Sequence, residues 1–256
     1  MTAGLVSVWL GGAVFDVVWL FAAVAVGCEW QSLIAVRRPF WRCLATALGL
    51  AAGALFLAET EILPAGAALG ASSLAAALVA DKGRRIWAFS GVGYAAALLI
   101  SLAALHRAED YGARSIVWLF AIVWGTDVFA YFGGRLIGGP KLWPRISPSK
   151  TWSGTVTGIF AGAVLGSAIG GHGFGLRVQA ALFALGLAAA GVSQAGDIFE
   201  SWVKRRFGAK DSSGLIPGHG GFMDRLDGFI AAAAFAAITG AVRGGPSTAA
   251  GLFLWD

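Results

Sequence analysis

The densest group of chemically active side chains lies in one run, DIFESWVKRRFGAKDSSGLIPGHGGFMDRLD, from Asp197 to Asp227. Asp224 and Asp227 are three residues apart, so they share one helix face near its N-terminus, where the helix dipole favours anions. Asp197 lies at the end of the preceding apolar segment and would complete an oxygen-rich cage. Hard oxygen ligands suit Mg²⁺, which usually keeps waters and bridges to substrate phosphates. The pattern therefore predicts a magnesium site at Asp197, Asp224 and Asp227.

Basic side chains and glycines in the same run predict phosphate binding. Lys204, Arg205 and Lys210 carry charges that pair well with phosphate. The glycines of PGHGG, residues 217–221, allow backbone N–H groups to approach an anion closely. A basic loop with charged helix ends is the alternative interpretation. That alternative explains the basic residues alone better than it explains the whole combination.

A second candidate cluster lies in residues 124–154, WGTDVFAYFGGRLIGGPKLWPRISPSKTWSG. Asp127 interrupts an apolar run and could approach the same site. Residues 147–151 are predicted to open the next helix, where hydroxyls and Lys150 at a helix N-terminus would attract an anion. The GGP turn is not a Walker loop, because no GKS or GKT follows at the required spacing. Simple capping, with Lys150 at the membrane interface, remains the alternative.

The elements that must position these residues are membrane helices. Hydrophobic residues make up 57% of the 256-residue chain and charged residues only 13%, about half the usual ~25%. A helix needs about 20 mostly apolar residues to cross the hydrocarbon core. Continuous runs without period-two alternation disfavour a β-barrel. The prediction is an all-α, polytopic membrane bundle forming a single domain over 1–256, with eight spans: 5–27, 41–58, 62–80, 86–105, 115–134, 152–170, 178–197 and 223–242.

The distribution of basic residues predicts the orientation. Most of the 19 Lys and Arg residues fall in alternate loops, 28–42, 81–85, 135–151 and 198–222. The positive-inside rule places these loops in the cytoplasm. The formal net charge of +5 is explained in this way, so no nucleic-acid partner is expected. We therefore expect an integral protein of a bacterial inner membrane whose active site faces the cytoplasm.

The residues of the first run resemble the signature of the phosphatidate cytidylyltransferases, also called CDP-diacylglycerol synthases. The signature region spans 197–228, and the upstream WGTDVFAYFGGRLIGGPKL and ISPSKTWSG segments and the Glu29–Trp30 pair also resemble the family. The matching positions are Ser201, Lys204, Arg205, Lys210, Asp211, Gly214, Pro217, Gly218, His219, Gly220, Gly221, Asp224, Arg225 and Asp227.

This resemblance implies transfer of CMP from CTP to phosphatidate, giving CDP-diacylglycerol and pyrophosphate. It implies Mg²⁺ held by Asp197 and Asp224 with Asp227 in support, leaves open a second, monovalent cation, and suggests a homodimer. Lys204, Arg205 and Lys210 would hold the triphosphate or the lipid phosphate. The remaining substrate-binding candidates are Ser201, Asp211, Gly218, His219, Gly220, Gly221, Arg225, Asp127 and Lys150.

Two departures from the family pattern affect these expectations. Many members have KKTWEG where this chain has SKTWSG, which weakens any role for Ser149 and Ser153. Members also usually begin with a full helix before a GGxxF turn, whereas only LVSVWL precedes GGAVF here. We therefore expect the 5–27 span to be a helix stub followed by the family's second helix, and hypothesise that the N-terminal helix is truncated.

Two other functions fit parts of the sequence. A CTP-dependent kinase for a polyprenol or another lipid alcohol would share the membrane setting and the nucleotide. An ion-coupled transporter would use intramembrane carboxylates as a cation path, with broken helices and inverted repeats as its signature. The sequence shows no repeat, and a basic loop suited to phosphate is poorly explained by cation transport.

Overall fold

The computed structural model describes residues 2–36, 39–218 and 220–255, which form ten helices and one two-stranded hairpin. This architecture confirms the predicted all-α class. The helices are α1 (Thr2–Leu10), α2 (Gly12–Leu33), α3 (Phe40–Ala58), α4 (Ile62–Val79), α5 (Arg85–His106), α6 (Gly112–Leu136), α7 (Trp152–Gly170), α8 (Leu176–Arg206), α9 (Met223–Arg243) and α10 (Ala250–Phe253); the strands are β1 (Lys141–Trp143) and β2 (Ser147–Thr151).

Eight of these helices, α2 to α9, are long and apolar enough to cross a membrane. The chain is therefore an integral membrane protein, as predicted. For α3 to α7 and α9, the predicted ends agree with the helix ends to within about three residues. Agreement is good here because a lipid-embedded backbone must satisfy its hydrogen bonds within each segment, so apolar runs and helices coincide.

The predicted first span, 5–27, is divided in the structure. The backbone at Gly11 and Gly12 has positive φ values of 59° and 48°, a conformation that glycine adopts at little cost. A short helix, α1, therefore ends at Leu10, and α2 begins at Gly12. The expected stub before a longer helix is confirmed, but α2 continues to Leu33, six residues beyond the predicted end.

Helix α8 also extends beyond its predicted span of 178–197. It continues to Arg206, and its last turn contains Lys204, Arg205 and Arg206. Basic side chains at a helix C-terminus interact favourably with the helix dipole, so the helix persists after the apolar run has ended. Gly208, two residues after the end of α8, has a φ of 73°, the left-handed conformation with which many helices end.

Residues 147–151 form a strand, so the prediction that they open the next helix was wrong. Strand β2 pairs with β1 in antiparallel fashion, with Lys141 opposite Thr151 and Trp143 opposite Ser147. Helix α7 begins only at Trp152. The capping alternative holds for one residue, because the Thr151 side chain accepts a hydrogen bond from the Gly154 N–H at 3.1 Å.

The chain divides into two compact units. Unit 1 contains Met1–Ala103 and Lys204–Leu226, and unit 2 contains Ala104–Val203 and Asp227–Asp256. The boundaries fall inside α8 and α9, so each unit contains part of the signature region.

In unit 1, α2 packs tightly against α5 around Trp30, which is only 1% exposed. A β-carbon on Gly91 would lie 2.2 Å from the indole ring, so only glycine allows this approach. The indole N–H donates to the Trp87 carbonyl at 2.8 Å, and the Gln31 amide donates to the Ala88 carbonyl at 2.8 Å. These contacts fix the end of α2 that carries Glu29.

In unit 2, α7 packs against α6 through a line of glycines. A β-carbon on Gly158 would lie 2.5 Å from the Thr126 carbonyl oxygen, and one on Gly162 would lie 2.7 Å from the Ile122 carbonyl oxygen. Gly158 and Gly162 form a GxxxG pair, and this pair is a packing contact between the two helices. The glycine line comprises Gly154, Gly158, Gly162, Gly166 and Gly170, all buried.

Candidate active site

The segment between α8 and α9, residues 207–222, is called the signature loop below. Positive φ values at Gly208, Gly218 and Gly220, of 73°, 74° and 78°, form its turns. One backbone bond closes its tip, from the Ile216 N–H to the Gly220 carbonyl at 2.9 Å. The loop is otherwise organised around two carboxylates, those of Asp224 and Glu29.

Asp224, in the first turn of α9, accepts hydrogen bonds from three residues of unit 1. Lys204 Nζ lies 2.5 Å from Oδ1. Ser212 donates its backbone N–H at 2.9 Å and its hydroxyl at 2.8 Å to Oδ2, and the Gly221 N–H donates to the same oxygen at 2.7 Å. A β-carbon on Gly220 would lie 2.6 Å from Oδ2. The carboxylate thus joins the end of α8 to both arms of the signature loop through charge-assisted hydrogen bonds.

Unit 2 contains a second cluster of carboxylates, at the point where α8 and α9 are in contact. A β-carbon on Gly196 would lie 2.9 Å from the Asp227 carbonyl oxygen, and one on Gly228 would lie 2.5 Å from Ser193 Oγ. Each glycine is the neighbour in sequence of an aspartate, Asp197 on α8 or Asp227 on α9. The close approach of the two helix backbones therefore carries both aspartates to one place.

Asp127 of α6 and Lys150 of β2 complete this group. The charges of Asp197, Asp127 and Lys150 all act on Asp227. Lys150 Nζ lies 2.5 Å from Asp197 Oδ2 and donates to Gln194 Oε1 at 2.9 Å. Lys150 is therefore part of the carboxylate cluster, and its position relative to the membrane interface stays a prediction. Asp127 thus lies near enough for its charge to act on Asp227 within unit 2, and its part in the predicted site stays a prediction.

The β-hairpin explains how Lys150 reaches Asp197. Lys150 is the penultimate residue of β2, directly before Thr151, the N-cap of α7. The Ser153 hydroxyl donates to the Gly138 carbonyl, which ties the start of α7 to the turn before β1. Ser153, one of the two positions at which SKTWSG departs from the family pattern, thus has a structural contact in this chain.

The other predicted site residues occupy more open positions. Lys210, Asp211, Gly218 and Arg225 are exposed. Arg205 is exposed as well and donates to the Ala209 carbonyl at 3.0 Å, which caps the end of α8. Ser201 is half-buried and lies 3.4 Å from Asp197 Oδ1. His219 lies outside the described residues, and its predicted role in shaping the pocket stays a prediction.

The unit 2 carboxylates fit a divalent cation by the chemistry of their oxygens. Among residues 2–36, 39–218 and 220–255, no three His, Cys, Asp or Glu side chains form a group that could hold a metal ion. Mg²⁺ at a nucleotide site, however, commonly takes one or two carboxylates and completes its shell with water and phosphate. Asp197 and Asp227 can supply that pair. Direct ligation by Asp224 stays a prediction.

Sequence reasoning missed three residues that hold these clusters together. Glu29 and Ser212 organise the signature loop, and Gln194 accepts from Lys150. Glu29 had a detectable signal, since a carboxylate inside an apolar helix is rare and needs a partner. The Glu29–Trp30 pair was noted only as a likeness to the family, and no site role was predicted for Glu29 because the predicted first span ended at residue 27.

Comparison with known proteins identifies the family to which these clusters belong. The sequence model of the cytidylyltransferase family matches residues 1–242. This chain belongs to the cytidylyltransferase family. The match includes the signature loop and the unit 2 carboxylates, and it makes the chain a nucleotidyltransferase.

Individual relatives agree with this assignment. A phosphatidate cytidylyltransferase of Brucella abortus is 40% identical over 251 residues, which cover 96% of this chain and 91% of the relative. The phosphatidate cytidylyltransferases of Rickettsia bellii and Helicobacter pylori are each 42% identical over 123 residues. These shorter matches cover 45% and 48% of this chain, and 52% and 45% of the respective relatives.

Proposed function

We propose that this enzyme transfers the cytidylyl group of CTP to phosphatidate, giving CDP-diacylglycerol and pyrophosphate in phospholipid synthesis. The observation that carries the proposal is the 40% identity to a phosphatidate cytidylyltransferase over nearly the whole of both chains. The sequence of the signature region supports the same activity, since it combines carboxylates, basic residues and glycines suited to a nucleotide polyphosphate.

The reaction joins two polyanions. A phosphate oxygen of phosphatidate bonds to the α-phosphorus of CTP, and the bond from that phosphorus to the bridging oxygen breaks, so that pyrophosphate leaves with its electron pair. The attacking oxygen is already an anion at neutral pH, so no strong general base is required. The protein must align the reactants and neutralise charge, the two tasks that dominate phosphoryl-group transfer.

The basic residues of unit 1 are suited to the substrates. Lys204 is fixed by its ion pair with Asp224, and Lys210 and Arg205 project from the exposed surface of the same segment. We assign these side chains to the triphosphate of CTP and the phosphate of the lipid. Asp224 orients Lys204 and the glycine-rich arm of the loop, so that backbone N–H groups are presented in a fixed direction.

Asp197 and Asp227 are the residues of unit 2 that would hold Mg²⁺, with Asp127 beside them and Asp224 as the further predicted ligand. A bound Mg²⁺ neutralises phosphate charge and polarises the phosphoryl group. Lys150 pairs with Asp197 and limits the mutual repulsion of the carboxylates. Binding of a second, monovalent cation is proposed on the family resemblance alone.

We further propose that the chain lies in a bacterial inner membrane with the signature loop on the cytoplasmic side. The concentration of basic residues in alternate loops supports this orientation, and CTP is a cytoplasmic metabolite. A homodimer is proposed on the family resemblance.

The deciding experiment uses the purified chain with phosphatidate, Mg²⁺ and CTP labelled in two ways. Label in the cytidine or the α-phosphate should enter the lipid extract, with one pyrophosphate released for each lipid labelled. Label in the γ-phosphate should remain in the aqueous phase of the extraction. Lipid labelled only by the γ-phosphate, after addition of a polyprenol, would indicate a kinase instead and contradict the proposal.

A further inference from the structure

Glu29 is a buried carboxylate on α2, and its four hydrogen-bond partners among the described residues all lie within residues 212–223. Its side chain is 2% exposed. Oε1 accepts the Ser213 hydroxyl at 2.7 Å and the Phe222 N–H at 2.9 Å. Oε2 accepts the Ser212 hydroxyl at 3.1 Å and the Met223 N–H at 2.7 Å. Each oxygen therefore receives one hydroxyl and one backbone amide, and all four donors are neutral.

These donors flank the tip of the loop. Ser212 and Ser213 precede the tip, residues 214–221, and Phe222 and Met223 follow it. One carboxylate thus fastens both ends of the tip to α2. A charge buried without partners is very costly, so the tip cannot leave Glu29 without a large penalty.

The same contacts connect Glu29 to Asp224. The Ser212 hydroxyl lies 3.1 Å from Glu29 Oε2 and 2.8 Å from Asp224 Oδ2, so one proton links the two carboxylates. Gly221 lies between them as well. Its N–H donates to Asp224, and a β-carbon there would lie 2.5 Å from both Glu29 oxygens. A shift of Glu29 must therefore move two residues that orient Asp224.

We infer that Glu29 is a positioning residue for cytidylyl transfer: it fixes the tip of the signature loop and, through Ser212 and Gly221, orients Asp224 and its partner Lys204. The inference rests on the proposed function. Displacing a reacting group by about 1 Å can cost about 10²-fold in rate. Loss of Glu29 leaves the positive charges of the basic residues on the protein, so substrate attraction persists while the alignment of Asp224 and Lys204 is lost.

Three variants separate positioning from simple structural support. Glu29→Gln keeps the shape but turns one acceptor into an amide NH₂ that faces a hydroxyl and a backbone N–H. The hydroxyl can rotate to accept, but the backbone N–H cannot. Glu29→Asp keeps both acceptors and the charge with a shorter reach. Ser32→Ala is the control, because Ser32 lies on the same helix and its exposed hydroxyl bonds to the Cys28 carbonyl at 2.7 Å and to the Cys43 side chain on α3, rather than to the signature loop.

Each full-length variant is purified in detergent, and kcat, KM for both substrates and hydrogen exchange by mass spectrometry are measured on the folded fraction. Glu29→Gln should lower kcat about 10- to 100-fold while both KM values stay within about threefold. Exchange should quicken across residues 212–223 and stay unchanged across α5. Glu29→Asp should exceed Glu29→Gln in kcat by at least about threefold, and Ser32→Ala should match the parent.

A parent-like kcat for folded Glu29→Gln, or exchange that rises equally in α5 and in the loop, would overturn the inference. So would Glu29→Asp being no better than Glu29→Gln. If Glu29→Gln does not fold, Ser213→Ala decides by the same measurements, because it removes one of the four donors and leaves the charge bonded. A parent chain that makes no CDP-diacylglycerol would refute the proposed function, whereas the exchange measurement would still test whether Glu29 orders the loop.

Discussion

The ion pair between Lys204 and Asp224 permits a quantitative test of how the signature loop is held. Their side chains are 11% and 10% exposed, and Nζ and Oδ1 are 2.5 Å apart. Removing one partner of a buried pair typically costs about 3–5 kcal/mol. In Lys204→Met, Asp224 still accepts hydrogen bonds from Ser212 and Gly221. We therefore expect the free energy of unfolding to fall by the lower end of that range, about 3 kcal/mol.

Asp224→Ala should lower the free energy of unfolding further, by about 5 kcal/mol. It removes the acceptor of Lys204, of the Ser212 hydroxyl and of two backbone N–H groups, and backbone groups cannot rotate towards new partners. The double variant should lose about 2 kcal/mol less than the sum of the two single losses, because the residues are in direct contact and share one interaction.

Thermal unfolding in detergent measures these differences. At about 2–4 °C per kcal/mol for a chain of this size, Tm should fall by about 6–12 °C in Lys204→Met and about 10–20 °C in Asp224→Ala. Lys204→Asn is a second replacement that removes the charge. If Lys204→Met proved as costly as Asp224→Ala, or if the two losses were fully additive, the loop donors would not be holding Asp224 and the reasoning would be refuted.

Three further outcomes are expected. Asp197→Asn should lower the rate of lipid labelling at least about 100-fold and raise the Mg²⁺ concentration for half-maximal rate; an unchanged Mg²⁺ dependence would remove Asp197 from the metal site. Gly162→Ala should lower Tm by several degrees because its β-carbon would lie 2.7 Å from a backbone carbonyl oxygen. Gly191→Ala is the control and should be neutral or slightly stabilising, since a β-carbon there would have nothing within 4 Å. Equal shifts in Tm for the two variants would contradict the close-packing account. Thr151→Val should cost about 1 kcal/mol by removing the cap of α7, and a Tm within 1 °C of the parent would show that the cap contributes nothing.

Hydropathy predicted most of this fold because lipid forces nearly every apolar run into a helix. It failed where other forces set the helix ends. Gly11 and Gly12 divide the first span through a backbone conformation that hydropathy does not sense. Helix α8 continues to Arg206 because of favourable charges in its last turn, although those residues are not apolar. Strand β2 forms through pairing with β1, which the local sequence of polar residues and prolines does not reveal.

For the site, residue type and spacing singled out Asp197 and Asp227, which α8 and α9 bring together, because carboxylates in apolar helices have few explanations. The metal role of these aspartates and the phosphate role of the basic run stay predictions. Asp127 and Lys150 were only secondary candidates, since the sequence does not show that β2 brings Lys150 to Asp197. Glu29 lies 183 positions from Ser212, and nothing local links them. Contacts of that sequence separation depend on how helices pack.

The line of glycines on α7 has a consequence for how the chain is made. Glycine contributes little to partitioning into lipid and lowers helix propensity, so α7 gains much of its stability by docking closely on α6. Because α6 comes first in the chain, it emerges from the ribosome earlier and offers a ready surface when α7 arrives. The two helices are therefore expected to enter the bilayer as a hairpin, and α7 placed alone behind an unrelated leader should insert poorly.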